Sequence, residues 1–446
     1  MIQTKRLINN PTLFMTMSKQ YDYGDKIKVL TDSKEHIGTS LPRPEILDEN
    51  ILVLKLENGY NIGIDKKNIK SVELIEKYKR KQDKKEHVSE KKGLAKVSIV
   101  STGGTISSKV DYKTGGTVAD YTADDFLKMI PEMGNIANIK AVKSMNSMSE
   151  DMNDDEWKKI AKDIEKELSH ADGIVVTCGT DTLHYISAVL SFFFYDVKKP
   201  IMITAAQRSI DRGSSDAFMN LGCAVNAAAN FNGAGVYVCM HGTSNDDYCY
   251  LIKGTKVRKM HTSRRDAFRP INSRPVAKAY LDKIDIIDND FSKKDIRAKN
   301  SNHIHFDNKV GLLQIHPLID PKIIDFFIKE DYKGLVLSAT ALGHVPTNGK
   351  NDMIKYLRKA KDKGIEIAIA SQTLYGSTHP YVYTNLRKLS IDLDVIYAKD
   401  MTPETTLVKL GWILGKTKDN KKIREMFETN YAYEYNGNLS EDEFLN

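Results

Sequence analysis

The sequence predicts an α/β protein, with two domains built on parallel sheets and a small all-β, barrel-like domain ahead of them. Three observations predict it. Short β-branched runs such as Val97-Ser98-Ile99-Val100 and Ile174-Val175-Val176 suit strands covered on both faces. Each of these runs passes into a glycine-permitted loop and then into helix. Repeated strand–loop–helix order implies parallel sheets flanked by helices. Nearer the start, alternating runs joined by Asn58-Gly59 read as an antiparallel hairpin.

The chain has 446 residues, enough for several domains with their own cores. A net charge of +7 permits an anionic partner such as RNA without requiring one. No apolar run is long enough for a membrane span, and no signal-peptide core follows Met1, so a cytoplasmic protein with no membrane contact is expected. Cys178, Cys223, Cys239 and Cys249 form no close pair. Their spacing indicates neither a metal site nor a disulfide framework, and buried thiols are the simpler reading.

Taken in order, residues 1–22 lack a clear period and read as a flexible N-terminus. Residues 23–75 form the β module, with strands at Lys26-Ile27-Lys28-Val29-Leu30, Ile51 to Leu56 and Asn61 to Ile64. Residues 76–94 are dominated by Lys, Arg and Glu and read as a solvated linker. Residues 95–300 form the first α/β domain. Its expected strands lie at Val97–Ser101, Gly173–Cys178, Pro200–Thr204 and Val236–Met240. A helix is expected from Thr122 to Ile130, and a second after Asn153-Asp154-Asp155-Glu156, whose acids complement a helix N-terminus. From Lys253 to about Phe306 the pattern lapses into a basic, irregular connection. Residues 301–446 form the smaller second α/β domain, with strands near Val310, Leu335 and Ile365 and closing helices near Pro403 and Asn420.

Two strand ends carry hydroxyls: Thr102-Gly103-Gly104-Thr105 and Cys178-Gly179-Thr180-Asp181-Thr182. Loops at the carboxyl ends of parallel strands are where open α/β sheets bind ligands. Backbone at Gly104 and Gly179 can approach a substrate closely. A threonine hydroxyl is a poor nucleophile until something takes its proton. Lys259, within Val257-Arg258-Lys259-Met260-His261, is a candidate acceptor, and Asp181 can orient it or bind a substrate ammonium. Each has a plainer reading: Asp181 as a charge at a helix start, Lys259 as a solvated base, His184 as a packing or capping residue. Together they suit amide hydrolysis of a small zwitterion.

These two loops resemble the paired signatures of the type I/II L-asparaginase family, with Cys178 where a histidine is usual. Ser149-Glu150-Asp151-Met152-Asn153 resembles that family's substrate-binding segment. A closer resemblance, to the D subunits of archaeal Glu-tRNA(Gln) amidotransferases, rests on three stretches. They are Leu56 to Ile64 in the β module, Ala206 to Asp216, and Val257 to Phe268. The resemblance implies Thr105 as nucleophile, with Thr180, Asp181 and Lys259 completing the catalytic set. It implies Ser149 and Glu150 as substrate-binding groups and a loop tyrosine, Tyr112 or Tyr121, with Tyr112 preferred. It further implies glutamine or asparagine as amide donor, a homodimer core, a partner E subunit and Glu-tRNA(Gln) as acceptor. No phosphate-binding G-x-x-x-x-G-K-[ST] stretch is present. This agrees with the resemblance, which implies no cofactor on this chain and ATP and Mg used on the partner. The alternatives are a free-standing L-asparaginase and a non-catalytic scaffold for RNA or other protein chains.

Overall fold

A computed structural model describes residues 21–42, 50–57, 60–78, 91–104, 108–110, 117–119, 130–208, 210, 214–299 and 301–444. Residues 1–20 of the expected flexible N-terminus, the Asn58-Gly59 turn, most of the charged linker and all but the last residue of the helix expected from Thr122 to Ile130 lie outside the described residues.

The N-terminal module is one antiparallel sheet. Its strands are β1 (Lys26–Thr31), β2 (Glu35–Leu41), β3 (Ile51–Leu56), β4 (Asn61–Asp65) and β5 (Ile69–Glu76), in the order β4-β3-β2-β1-β5. Period-two alternation turns Ile27, Val29, Leu52, Leu54 and Ile64 to one face, where they form a small core. The β3–β4 hairpin pairs Leu54 with Ile62 and Lys55 with Asn61.

The first α/β domain is built on a larger sheet. Its strands are β6 (Ala95–Ser101), β7 (Ala137–Lys143), β8 (Gly173–Thr177), β9 (Pro200–Thr204), β10 (Gly233–His241), β11 (Cys249–Lys253), β14 (Ala277–Ala279) and β15 (Ile284–Ile286). Two short strands, β12 (Val257–Lys259) and β13 (Phe268–Pro270), pair with each other as a separate hairpin. The sheet order is β15-β14-β11-β10-β9-β8-β6-β7. Strands β7, β6, β8, β9 and β10 run parallel, whereas β11, β14 and β15 join antiparallel. Five neighbouring strands thus form the expected parallel sheet, and three antiparallel strands extend it at one edge. The stretch after Lys253 is also less irregular than expected, because it supplies four of these strands. Strands of three residues are too short to show a period.

Helices cover the sheet. Among them are α1 (Met133–Ile136), α2 (Asp154–Leu168), α3 (Leu183–Phe193) and α4 (Ala217–Asn230). Asn153 caps α2 in a capping box with Glu156, and Asp154, Asp155 and Glu156 occupy its first turn. Helices α3 and α4 are buried along nearly their whole length, consistent with their apolar sequences.

The second domain carries a parallel sheet in chain order: β16 (Val310–Gln314), β17 (Gly334–Ala339), β18 (Glu366–Ser371) and β19 (Ile396–Tyr397). Its helix α8 (Pro403–Lys416) follows α5 (Ile323–Lys329), α6 (Ile354–Asp362) and α7 (Thr384–Arg387), and precedes α9 (Asn420–Glu428). Helix α8 joins the two α/β domains into one core. Its Trp412 is fully buried and stacks on Phe192 of α3, with ring centroids 5.5 Å apart. All four cysteines are free and buried.

Candidate active site

Strand β6 lies between β7 and β8, although β7 and β8 both follow it in the chain. The strand order reverses there, and loops beyond the carboxyl ends of strands at such a point form a crevice. The two hydroxyl-bearing loops leave from β6 and β8.

The first loop is set by its glycines. Gly103 has φ +113° and Gly104 φ +77°, both left-handed. A Cβ on Gly104 would stand 2.5 Å from the Gly179 nitrogen, so only glycine allows the two loops to approach so closely. Thr102 is fully buried, and its Oγ1 donates to the Thr177 carbonyl at 3.0 Å. It is a bond between neighbouring strands. Thr105, Tyr112 and Tyr121 lie outside the described residues.

The second loop meets the Ser149 segment. Thr182 Oγ1 donates to the Ser149 carbonyl at 2.6 Å, and the Thr182 N–H donates to Ser149 Oγ at 3.3 Å. Gly179 faces Ser149 so closely that a Cβ would sit 2.8 Å from its Oγ. Ser149 Oγ also reaches Glu150 Oε2 at 3.4 Å, and Glu150 itself is exposed. Ser149, Glu150, Gly104, Gly179 and Thr180 are therefore brought to one place from three separate stretches.

Lys259 arrives from β12. Its Nζ donates to Thr180 Oγ1 at 2.9 Å and to Asp181 Oδ1 at 2.7 Å. The lysine side chain is 10% exposed and the Asp181 side chain 63%, so the pair opens to solvent on the aspartate side. An open carboxylate beside a buried lysine leaves room for a ligand's ammonium.

The lysine is held from below by the second domain. Lys256 forms a buried ion pair with Asp400, and Arg258 pairs with Glu404 at 3.0 Å. Thr405 Oγ1 donates to the Thr255 carbonyl at 2.9 Å. The first and last of these contacts link residues 144 and 150 positions apart, and no local sequence signal reveals them. His184 is largely buried; burial first, then the charges of Arg258 and Lys259, push it down to about 4. It is therefore a neutral ring at neutral pH. Burial pushes the Cys178 thiol up to about 12, so this residue is no nucleophile.

Residues 21–75 match the GatD N-terminal domain family, residues 96–291 the N-terminal asparaginase family, and residues 309–427 the glutaminase/asparaginase C-terminal domain family. The chain is 43% identical over 433 residues to the D subunit of the glutamyl-tRNA(Gln) amidotransferase of Thermococcus kodakarensis, covering 95% of this chain and 96% of the relative. The chain belongs to the GatD family, the D subunits of glutamyl-tRNA(Gln) amidotransferases. The GatD relative from Methanosphaera stadtmanae is 42% identical over 431 residues, covering 95% of each chain. Among solved structures, the thermostable L-asparaginase from Thermococcus kodakarensis matches with a TM-score of 0.68 at 29% identity. That match spans 77% of this chain and all of the asparaginase. The asparaginase-type α/β fold and the additional N-terminal module are both accounted for by membership of the GatD family. Among the described residues, no helix is long and apolar enough to cross a membrane.

Proposed function

We propose that this chain is the glutaminase subunit of a tRNA-dependent amidotransferase, releasing ammonia from glutamine through a threonine nucleophile. The observation that carries this reading is Lys259 Nζ at 2.9 Å from Thr180 Oγ1 and 2.7 Å from Asp181, beside the glycine loop that leads into Thr105.

The substrate's α-carboxylate and ammonium groups are held by Ser149, Glu150 and Asp181. Gly104 and Gly179 let its side chain lie against the backbone. The Thr105 hydroxyl attacks the side-chain amide carbon, and the C–N bond breaks as the nitrogen takes a proton and leaves as ammonia. The acyl-enzyme is then cleaved by water, giving glutamate and restoring Thr105. Thr180, Lys259 and Asp181 move protons in these steps and position the water, a task for which a lysine at hydrogen-bond distance from a hydroxyl is suited. Tyr112 is the loop tyrosine assigned to assist Thr105. The half-reaction balances as glutamine plus water, and it requires no cofactor on this chain.

The ammonia passes to a partner E subunit, which activates the γ-carboxylate of Glu-tRNA(Gln) with ATP and Mg and converts it to Gln-tRNA(Gln). The working unit is a homodimer of this chain with its partner, acting in the cytoplasm. Asparagine serves as the alternative donor. The test is amidation of Glu-tRNA(Gln) by the chain co-purified with its partner, comparing glutamine, asparagine and ammonium. Product from glutamine and from ammonium is expected. Rapid hydrolysis of free asparagine without the partner, and no amidation with it, would instead make the chain a free-standing asparaginase.

A further inference from the structure

A second polar network lies outside the Thr180–Lys259–Asp181 group. Asp216 is fully buried, and its carboxylate accepts from the Gln207 N–H at 3.0 Å, the Arg208 N–H at 3.0 Å and Asn220 Nδ2 at 3.0 Å. Asn220 Nδ2 also donates to the Ala205 carbonyl at 2.9 Å. With its nitrogen facing two acceptors, the orientation of the Asn220 amide is fixed. Its Oδ1 therefore faces His241 at the tip of β10, accepting from the backbone N–H at 3.0 Å and lying 2.6 Å from ring Nδ1. The Cys249 thiol donates to the same oxygen at 3.3 Å.

The other side of the ring meets an acceptor as well. His241 Nε2 lies 3.0 Å from Asp246 Oδ1. Two oxygens thus face the two nitrogens of a fully buried ring and hold it between Asn220 and Asp246. Burial pushes the Asp246 carboxyl up, but the His241 hydrogen bond and the Arg265 charge outweigh it and hold the carboxyl below its ordinary value.

From Asp246 the network enters the segment that carries Lys259. Arg265 donates to Asp246 at 3.2 Å. Next to it, Asp266 is gripped by Arg264 through two bonds of 2.8 Å and by Arg269 at 2.6 Å. Arg269 donates onward to the Gly242 carbonyl at 2.8 Å, directly after His241. The hairpin β12–β13 is thus tied to the tip of β10 through its connecting loop and through β13. Lys256–Asp400 and Arg258–Glu404 hold β12 itself to the second domain.

We propose that His241, held between Asn220 and Asp246, is a positioning residue that fixes the Lys259 hairpin through Asp246 and Arg265 and so sets the reach of Lys259 to Thr180. The proposal rests on the reading of Lys259 as a proton-transfer group. Asp246 is the residue to change, because it sits at the exposed end of the network and its loss leaves the buried part in place. In the co-purified complex, Asp246→Ala is expected to lower kcat for glutamine hydrolysis roughly tenfold with KM little changed, since small displacements of a reacting group are costly. Asp246→Asn keeps an acceptor for Nε2 and is expected to recover most of the loss. Wild-type kcat in Asp246→Ala, or no recovery in Asp246→Asn, would overturn the proposal. Lys259→Met is measured in parallel. Inactivity there beside wild-type turnover in Asp246→Ala rejects the clamp alone, whereas full activity in Lys259→Met rejects the reading beneath it.

Discussion

Replacing Thr105 with alanine is expected to remove glutamine-dependent amidation by at least about a thousandfold, because loss of a nucleophile leaves only binding and electrostatic contributions to catalysis. The loop before it predicts that the loss will be chemical. Gly103 and Gly104 impose its turn, and Thr102 is tied to Thr177, so removing one downstream hydroxyl leaves the strand and its glycines unchanged. Substrate binding through Ser149, Glu150 and Asp181 should persist, and so should use of free ammonium by the partner. The check is amidation by the co-purified Thr105→Ala complex with each donor. Retained glutamine-dependent product would assign the nucleophile elsewhere, with Thr180 the next residue to test.

Replacing Lys259 with methionine is expected to lower kcat by roughly a hundredfold to ten-thousandfold, the usual contribution of a positioned proton-transfer group. The change removes two contacts together, at 2.9 Å to Thr180 and 2.7 Å to Asp181. Methionine keeps much of the stem's length and apolar packing, so the hairpin should stay in place. Arginine should not restore activity, because a guanidinium keeps its proton and cannot serve as acceptor. Steady-state kcat and KM for glutamine in the co-purified complex check both substitutions. A KM effect alone would reduce Lys259 to a substrate-binding charge.

The parts legible in the sequence are those with local signatures. The buried runs of β6 and β8 read as strands because their β-branched residues suit a sheet covered on both faces. The cap of α2 was legible from Asn153 and the three acids behind it. Gly104 and Gly179 were visible as permissive positions, although only the structure gives their near-contact. The ties of the Lys259 hairpin were not legible. Lys256 and Asp400 are far apart in the chain and neither has a neighbour that predicts the other. Strands β12 to β15 have three residues each, so the segment after Lys253 offered charge and no period. Nothing in the sequence around His241 singles it out. The one local hint of its network is the i,i+4 spacing of Asp216 and Asn220 at the start of α4, which places both on one helix face.

The central claim is that this chain generates the nitrogen that its partner installs on tRNA. The most direct measurement follows that nitrogen. The co-purified complex is given Glu-tRNA(Gln), ATP, Mg and glutamine labelled with nitrogen-15 at the side-chain amide. The Gln-tRNA(Gln) formed is expected to carry the label, and Thr105→Ala is expected to yield none. Unlabelled product, or labelled ammonia released with no amidated tRNA, would contradict the account.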